Sequence, residues 1–234
     1  MESIPRYPRP DGLAPPPALS RLKELRLGVD MVRFAVTAPT LSRARRGDGR
    51  TALVVPGFKT SDRSLIPLRT FLGRWGHRAE PWRQGTNDGD IDRLLDATFA
   101  RATELAERSG RPINLIGWSL GGVYVREVAR DLPESVHRVV TMGTPLFGPH
   151  HTVGHTFYSE EQLEKIDAQI DERYRRPIER PIMAIWSRSD GIVDWRACRD
   201  DMSPDVRNLE VSSGHVGMGL DPGVWRTIAD FLAE

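Results

Sequence analysis

The chain has 234 residues, of which 39% are hydrophobic and 28% are charged, as is typical of one globular domain with a sizeable core. It has 33 lysines and arginines against 32 aspartates and glutamates, so no excess of positive charge indicates a nucleic-acid partner. Cys198 is the only cysteine, which excludes an intrachain disulfide and a thiolate zinc cluster and is typical of a reducing cytoplasm. No stretch approaches the roughly 20 apolar residues of a membrane span, and the proline-rich start lacks the apolar core of a secretory signal.

Residues 1–50 are predicted to form an arm that precedes the main domain. The first 17 residues are rich in proline, which favours an extended chain. Apolar residues then recur at helical spacing from Leu19 to Val32, with charged residues between them, and this pattern predicts an amphipathic helix. We favour packing of this helix on its own domain; a peripheral contact with a membrane surface is the alternative.

From residue 51 to residue 234, strand-like and helix-like segments alternate. The predicted strands cover 51–55, 77–82, the apolar run from 113, 137–142, 181–187 and 208–212, and the predicted helices cover 63–75, 90–108, 123–131, 160–174 and 222–232. The alternation predicts an α/β domain with a mostly parallel sheet of about six strands and helices on both faces. Residues 146–180 interrupt the alternation and are predicted to form a small cap or lid.

A Gly-x-Ser-x-Gly pattern, Gly117 to Gly121, stands between an apolar run and a helical segment. This order predicts a sharp turn from strand to helix, the nucleophile elbow, with the Ser119 hydroxyl raised above the edge of the sheet. Gly117 and Gly121 fit this prediction because a side chain at either position would collide across the tight turn.

Three residues with complementary chemistry each follow a predicted strand: Ser119, Asp190 and His215. Ligands of an open parallel sheet bind beyond the carboxyl ends of its strands, so these side chains are predicted to meet there. A serine hydroxyl needs a base such as His215, and a carboxylate behind the imidazole orients it and stabilises its charged form. Asp194 is the alternative carboxylate; we favour Asp190 because it is the first one beyond its strand.

An acyl-transfer site also needs two backbone N–H donors for the oxyanion of the tetrahedral intermediate. Leu120, directly after the serine, is predicted to supply one donor, and Phe58, in the loop after the first strand of the domain, is predicted to supply the other. Trp118 neighbours the serine and is predicted either to belong to the core or to line the acyl pocket.

His150, His151 and His155 invite a metal interpretation, but no acidic residue completes the spacing of a helical zinc motif, and Pro149 and Gly154 disfavour a continuous helix. We therefore expect no metal, and predict that these histidines line the site entrance or lie in solvent.

Taken together, four motifs resemble those of bacterial α/β-hydrolases of the esterase/lipase type, over residues 51–234. The motifs are Gly117-Trp118-Ser119-Leu120-Gly121-Gly122, Gly143-Thr144-Pro145, Ser187-Arg188-Ser189-Asp190-Gly191-Ile192-Val193 and Gly214-His215. The resemblance implies hydrolysis of a small-molecule or lipid carboxylic ester through an acyl-enzyme, with Ser119, Asp190 and His215 as the triad and no cofactor. The loop Pro56-Gly57-Phe58 departs from the histidine-glycine form that is common in lipases.

The leading hypothesis is thus a serine esterase or lipase. Within the same chemistry, thioester hydrolysis or acyl transfer is an alternative. A binding protein that keeps the fold without catalysis belongs to a second class, which the presence of all three triad residue types disfavours. A scaffold that binds membranes through residues 19–32 belongs to a third.

Overall fold

The structure, a computed structural model, describes residues 8–17, 19, 20, 24 and 38–234. The amphipathic helix predicted from Leu19 to Val32 lies outside these residues, except for Leu19, Ser20 and Glu24. Over the described ranges, no helix combines the length and the apolar character needed to cross a membrane.

In this part of the chain, six strands form one sheet in which every neighbouring pair is parallel. The strands are β1 Thr51–Val55, β2 Arg78–Pro81, β3 Ile113–Trp118, β4 Val136–Met142, β5 Ile182–Trp186 and β6 Val206–Glu210. Their spatial order is β2-β1-β3-β4-β5-β6, so the direction of the crossovers reverses between β1 and β3. The predicted α/β architecture is confirmed, and the reversal marks the point where open parallel sheets bind ligands.

Helices cover both faces of the sheet, as predicted. They are α1 Ile66–Arg74, α2 Ile91–Ser109, α3 Leu120–Asp131, α4 Glu160–Tyr174, α5 His215–Met218 and α6 Pro222–Leu232. Side chains of β1 alternate between the two layers: Ala52 and Val54 pack with α1 and α6, whereas Leu53 and Val55 pack with α2 and α3. All five residues of β1 are buried, because a central parallel strand is covered on both faces.

The boundaries of some elements differ from the predictions. The helix predicted over 63–75 begins as a separate 3-10 turn, Asp62–Leu65, and α1 follows with Pro67 in its first turn, where the missing N–H costs nothing. The last strand was predicted over 208–212 but covers Val206–Glu210, because its position is set by pairing with β5. The short helix α5, which begins at His215, was not predicted.

The connection from β4 to β5 contains the predicted cap residues 146–180. These two strands are parallel neighbours, so the connection has to run back from one end of the sheet to the other. Its helix α4 ends on α3, where the guanidinium of Arg130 donates to the carbonyl oxygen of Arg176 at 2.8 Å and faces the buried ring of Tyr174. The C-terminal end of the connection therefore packs on the helical layer that contains α3. A lid function for the rest of residues 146–180 stays a prediction.

A buried ion pair fixes α3 to the segment before β6. Arg126 on α3 donates to Asp200 at 2.7 Å, and their side chains are 3% and 0% exposed. Burial opposes ionisation of Asp200, but the Arg126 charge and the N–H groups of Met202 and Ser203 outweigh it and hold the pKa of the carboxyl below its ordinary value. Asp200 is therefore charged in the folded protein.

We predict that Arg126→Met lowers the free energy of unfolding by roughly 3–5 kcal/mol, because it leaves a buried carboxylate without its partner. Urea denaturation measures this loss. Since the pKa of Asp200 is lowered by folding, the wild type keeps the contribution at neutral pH and loses it as the pH falls through that lowered pKa. The matched control is Arg93→Met, which breaks an exposed 2.7 Å pair with Asp88 and should cost far less. Equal losses in the two variants would contradict the prediction.

Candidate active site

Ser119 occupies a strained turn between β3 and α3. Its φ of 54° and ψ of −124° place it in a backbone region that residues other than glycine rarely adopt. The turn is held by the Ser119 N–H, which donates to the carbonyl oxygen of Met142 at 2.8 Å. A Cβ atom on Gly121 would lie 2.6 Å from the carbonyl oxygen of Pro56, so the turn packs directly against the end of β1. The sequence-based expectation that Gly121 must lack a side chain agrees with this contact.

The loop that follows β1 lies beside the same serine. A Cβ on Gly57 would lie 3.1 Å from the Cβ of Ser119. The N–H groups of Phe58 and Leu120 donate to no residue within the described ranges. For Leu120 this follows from its place as the first residue of α3, where an N–H has no partner within the helix. The two segments that meet at the Ser119 turn therefore each carry an N–H group with no partner among the described residues, at the point where the strand order reverses.

Asn87, which the sequence analysis did not single out, holds the loop after β1 in place. Its backbone exchanges hydrogen bonds with Lys59 and Thr60 at 2.7 and 2.8 Å, and its side-chain amide donates to the carbonyl oxygen of Pro56 at 3.0 Å. The Asn87 side chain is fully buried, and its oxygen accepts from the hydroxyl of Tyr124 at 3.3 Å. In the sequence, the polar run around Asn87 is typical of a turn, so no local signal distinguished it.

Asp190 and His215 form a buried pair after β5 and β6. Asp190 Oδ2 lies 2.7 Å from His215 Nδ1. The other oxygen, Oδ1, accepts from the N–H groups of Ile192 and Val193, both at 2.8 Å, which fixes the carboxylate. Asp194 points elsewhere: its side chain caps the 3-10 helix Trp195–Cys198 and accepts from the N–H of Ala14 at 3.1 Å. Of the two predicted carboxylates, only Asp190 therefore contacts the imidazole.

The environment of His215 stabilises its charged form. Burial lowers the pKa of the imidazole, but the charge of Asp190, the hydrogen bond to it and the charge of Glu24 together raise the pKa above its ordinary value of 6.5. The carbonyl oxygen of His215 accepts from the indole N–H of Trp118 at 3.1 Å, and the two rings lie 5.9 Å apart. Trp118 is buried in the core and supports the His215 loop; its predicted place in the acyl pocket stays a prediction.

Ser119 and His215 both lie beside the C-terminal end of β4. The serine N–H contacts Met142, and a Cβ on the next residue, Gly143, would lie 2.9 Å from His215 Nδ1. Within the described residues, however, the Ser119 hydroxyl makes no hydrogen bond, so the serine–histidine bond is not formed in this conformation. Such bonds are often long in free enzymes and tighten when substrate binds.

The three histidines of the predicted cap have different surroundings. His150 Nε2 lies 3.4 Å from Asp167 Oδ2, and His155 Nδ1 lies 2.9 Å from the carbonyl oxygen of Thr152. Burial, with the nearby charges of Arg9 and His150, lowers the pKa of His151 to about 4. Among the residues that the structure describes, no three side chains of the metal-binding types come together.

Comparison with known proteins agrees with this architecture. The model of a family described as "alpha/beta hydrolase fold" matches residues 55–164, which include β2, β3, β4 and the Ser119 turn. No curated protein sequence matches the chain. The protein therefore has the α/β-hydrolase fold, and the resemblance drawn from its motifs is confirmed at this level.

Several solved structures share the fold. The chain is similar to one from the study of LipS and LipT, two metagenome-derived lipolytic enzymes, at 17% identity and a TM-score of 0.62, over 81% of this chain and 95% of that one. It is also similar to a monoacylglycerol lipase of Paleococcus ferrophilus, at 13% identity and a TM-score of 0.59, over 81% and 96%. A third is the type II thioesterase BorB of a borrelidin biosynthetic cluster, at 18% identity and 0.58, over 81% and 94%. At these identities the likeness establishes the fold, and the reaction has to be argued from the residues.

We predict that the pKa of His215, measured by NMR titration of its imidazole, lies above 6.5 in the wild type and falls in Asp190→Asn, which removes both the charge and its hydrogen bond. Asp194→Asn is the matched control and should leave the pKa raised, because Asp194 does not contact the ring. A lowered pKa in the control alone would reverse the choice of carboxylate.

Proposed function

We propose that the protein is a serine hydrolase that cleaves carboxylic esters through an acyl-enzyme, with Ser119 as nucleophile, His215 as general base and acid, and Asp190 as its carboxylate partner. The observation that carries this proposal is the buried 2.7 Å contact between Asp190 and His215, at the same sheet edge as the strained Ser119 turn. On this proposal, the Ser119 turn is a nucleophile elbow.

In the first half-reaction, the Ser119 hydroxyl oxygen attacks the ester carbonyl carbon while Nε2 of His215 takes the hydroxyl proton. The carbonyl oxygen becomes an oxyanion, for which the N–H groups of Phe58 and Leu120, unpaired within the described residues, are the proposed donors. The intermediate then collapses, the bond to the alcohol oxygen breaks, and the imidazolium returns its proton to the leaving alcohol.

In the second half-reaction, water replaces the alcohol. His215 takes a proton from the water as its oxygen attacks the acyl carbon, and returns the proton to Ser119 as the acid leaves. Asp190 keeps the Nδ1 proton directed toward itself, so that Nε2 is the free basic nitrogen, and stabilises the imidazolium in both halves. No step of this cycle calls for a cofactor.

Exposed apolar side chains beside these residues support an ester with an apolar part. Phe58, at the proposed donor position, is 41% exposed, and Val216, directly after His215, is 39% exposed. Apolar groups that remain in contact with water next to a catalytic centre gain most when an apolar ligand covers them. The lipolytic enzymes among the structural neighbours agree with this substrate class.

We predict that Ser119→Ala reduces the kcat for p-nitrophenyl ester hydrolysis by at least about 10⁴-fold, because the acyl-enzyme can no longer form. A series of esters of increasing acyl length, assayed on wild type and variant, measures the loss and gives the acyl preference. A parallel assay on acyl thioesters tests the thioesterase alternative.

Circular dichroism and the urea midpoint of Ser119→Ala serve as controls for folding. Undiminished turnover in a folded Ser119→Ala protein would rule out Ser119 as the nucleophile. Wild type that hydrolyses neither ester nor thioester would favour the non-catalytic alternative.

We further predict that Asn87→Ala lowers kcat by about 10²-fold with little change in KM, because the loop that carries the Phe58 N–H loses its side-chain anchor to Pro56. Gln84→Ala is the matched control, since the Gln84 amide in the same loop donates to the carbonyl oxygen of Trp82. If both variants keep wild-type kcat, Asn87 does not position the proposed oxyanion donor.

A further inference from the structure

A carboxylate from the N-terminal arm bridges the two loops that carry Asp190 and His215. Glu24 Oε1 accepts from the N–H of Gly191 at 2.9 Å and from the N–H of His215 at 3.0 Å, and Oε2 accepts from the N–H of Val216 at 3.0 Å. Gly191 directly follows Asp190. One side chain therefore ties the backbone beside the carboxylate to the backbone of the histidine itself.

Both loops have glycine where the arm approaches them. A Cβ on Gly214 would lie 3.0 Å from Glu24 Oε2, and a Cβ on Gly191 would collide with the carbonyl oxygen of Ser20. The arm thus approaches the loops at backbone distance, and Ser20 is buried there. A larger residue at Gly191 would therefore displace the backbone of the arm, and one at Gly214 would press on the Glu24 carboxylate.

The same carboxylate acts on the imidazole through its charge. Of the charged groups that the structure describes, Asp190 and Glu24 are the two that raise the pKa of His215 against the effect of burial. Cys198, behind Asp190, is buried, and its pKa is raised well above its ordinary value, so it adds no charge at neutral pH. Hydrogen bonds from N–H groups to a carboxylate are charge-assisted and stronger than neutral ones.

Other contacts anchor the arm on the same side of the domain. Arg9 donates to Asp167 on α4 at 3.2 Å, and the N–H of Ala14 donates to Asp194 at 3.1 Å. Arg9, Ala14 and Glu24 precede the residues 55–164 that match the family model. The arm therefore adds to the fold a connection between the cap helix, the Asp190–Asp194 segment and the His215 loop.

We propose that Glu24 is a positioning residue for the Asp190–His215 pair, an inference that rests on the proposed serine hydrolase function. Glu24 binds backbone N–H groups rather than the reacting atoms, and it holds the two loops at the separation that the 2.7 Å carboxylate–imidazole contact requires. On this proposal, the arm contributes a residue to the site.

The test is Glu24→Gln in the full chain, which keeps the side-chain length and one acceptor oxygen but removes the charge. We expect the pKa of the His215 imidazole, measured by NMR, to fall, and the acid limb of the kcat/KM profile to move to lower pH with it. We also expect kcat to fall about tenfold with KM within about twofold of wild type, because the base is less well placed.

Two controls separate positioning from general loosening. Arg9→Gln releases another anchor of the arm and should leave the His215 pKa and the acid limb unchanged. Glu104→Gln removes the charge of an exposed side chain on α2 and should likewise change neither. A Glu24→Gln protein that only unfolds at lower urea concentration, with wild-type His215 pKa and kcat, would overturn the proposal.

The NMR titration also keeps this proposal distinct from the proposed function. If wild type hydrolyses no ester, the hydrolase assignment fails, while a lowered His215 pKa in Glu24→Gln still supports the Glu24 contact with the pair. If the His215 pKa is also unchanged in Glu24→Gln, the positioning role proposed for Glu24 fails as well.

Discussion

The close approach of the ends of β1 and β3 is the constraint on which the site depends. The crossovers reverse direction between these strands, so the loop after β1 and the turn after β3 face one another across the open edge. Neither Gly57 nor Gly121 leaves free room for a side chain: a Cβ on Gly121 would lie 2.6 Å from the carbonyl oxygen of Pro56, and a Cβ on Gly57 would lie 3.1 Å from the Cβ of Ser119. This contact places the loop that carries Phe58 beside the Ser119 turn, whose backbone is strained.

Charge organises the other half of the site. His215 is buried, and an isolated buried imidazole would be held neutral; two carboxylates reverse that preference. Asp190 is itself fixed by two backbone N–H groups, and Glu24 accepts three more from the loops around the pair. The imidazole thus lies near two fixed negative charges, an environment that stabilises a positively charged ring.

The arm and the loop that carries Asn87 were the least predictable parts of the site. Asn87 lies in a polar run that is typical of any turn, and its importance comes from hydrogen bonds to Pro56, Lys59 and Tyr124, which the fold brings together. Glu24 lies in a segment whose spacing predicts a helix, and nothing in that spacing indicates a contact with residues 191, 215 and 216. Similarly, periodicity alone placed β6 two residues late, since an edge strand takes its register from its neighbour.

The alternating architecture, the central strands and the three residues at strand ends could be predicted from the sequence, because burial on both faces of a parallel sheet leaves apolar runs and tight turns leave glycines in the chain. Three features required the folded structure: which carboxylate contacts His215, which segments hold the loops, and the absence of a hydrogen bond from the Ser119 hydroxyl within the described residues. These contacts join residues separated by 25 to 192 positions in the sequence. A local sequence pattern cannot predict contacts over such separations.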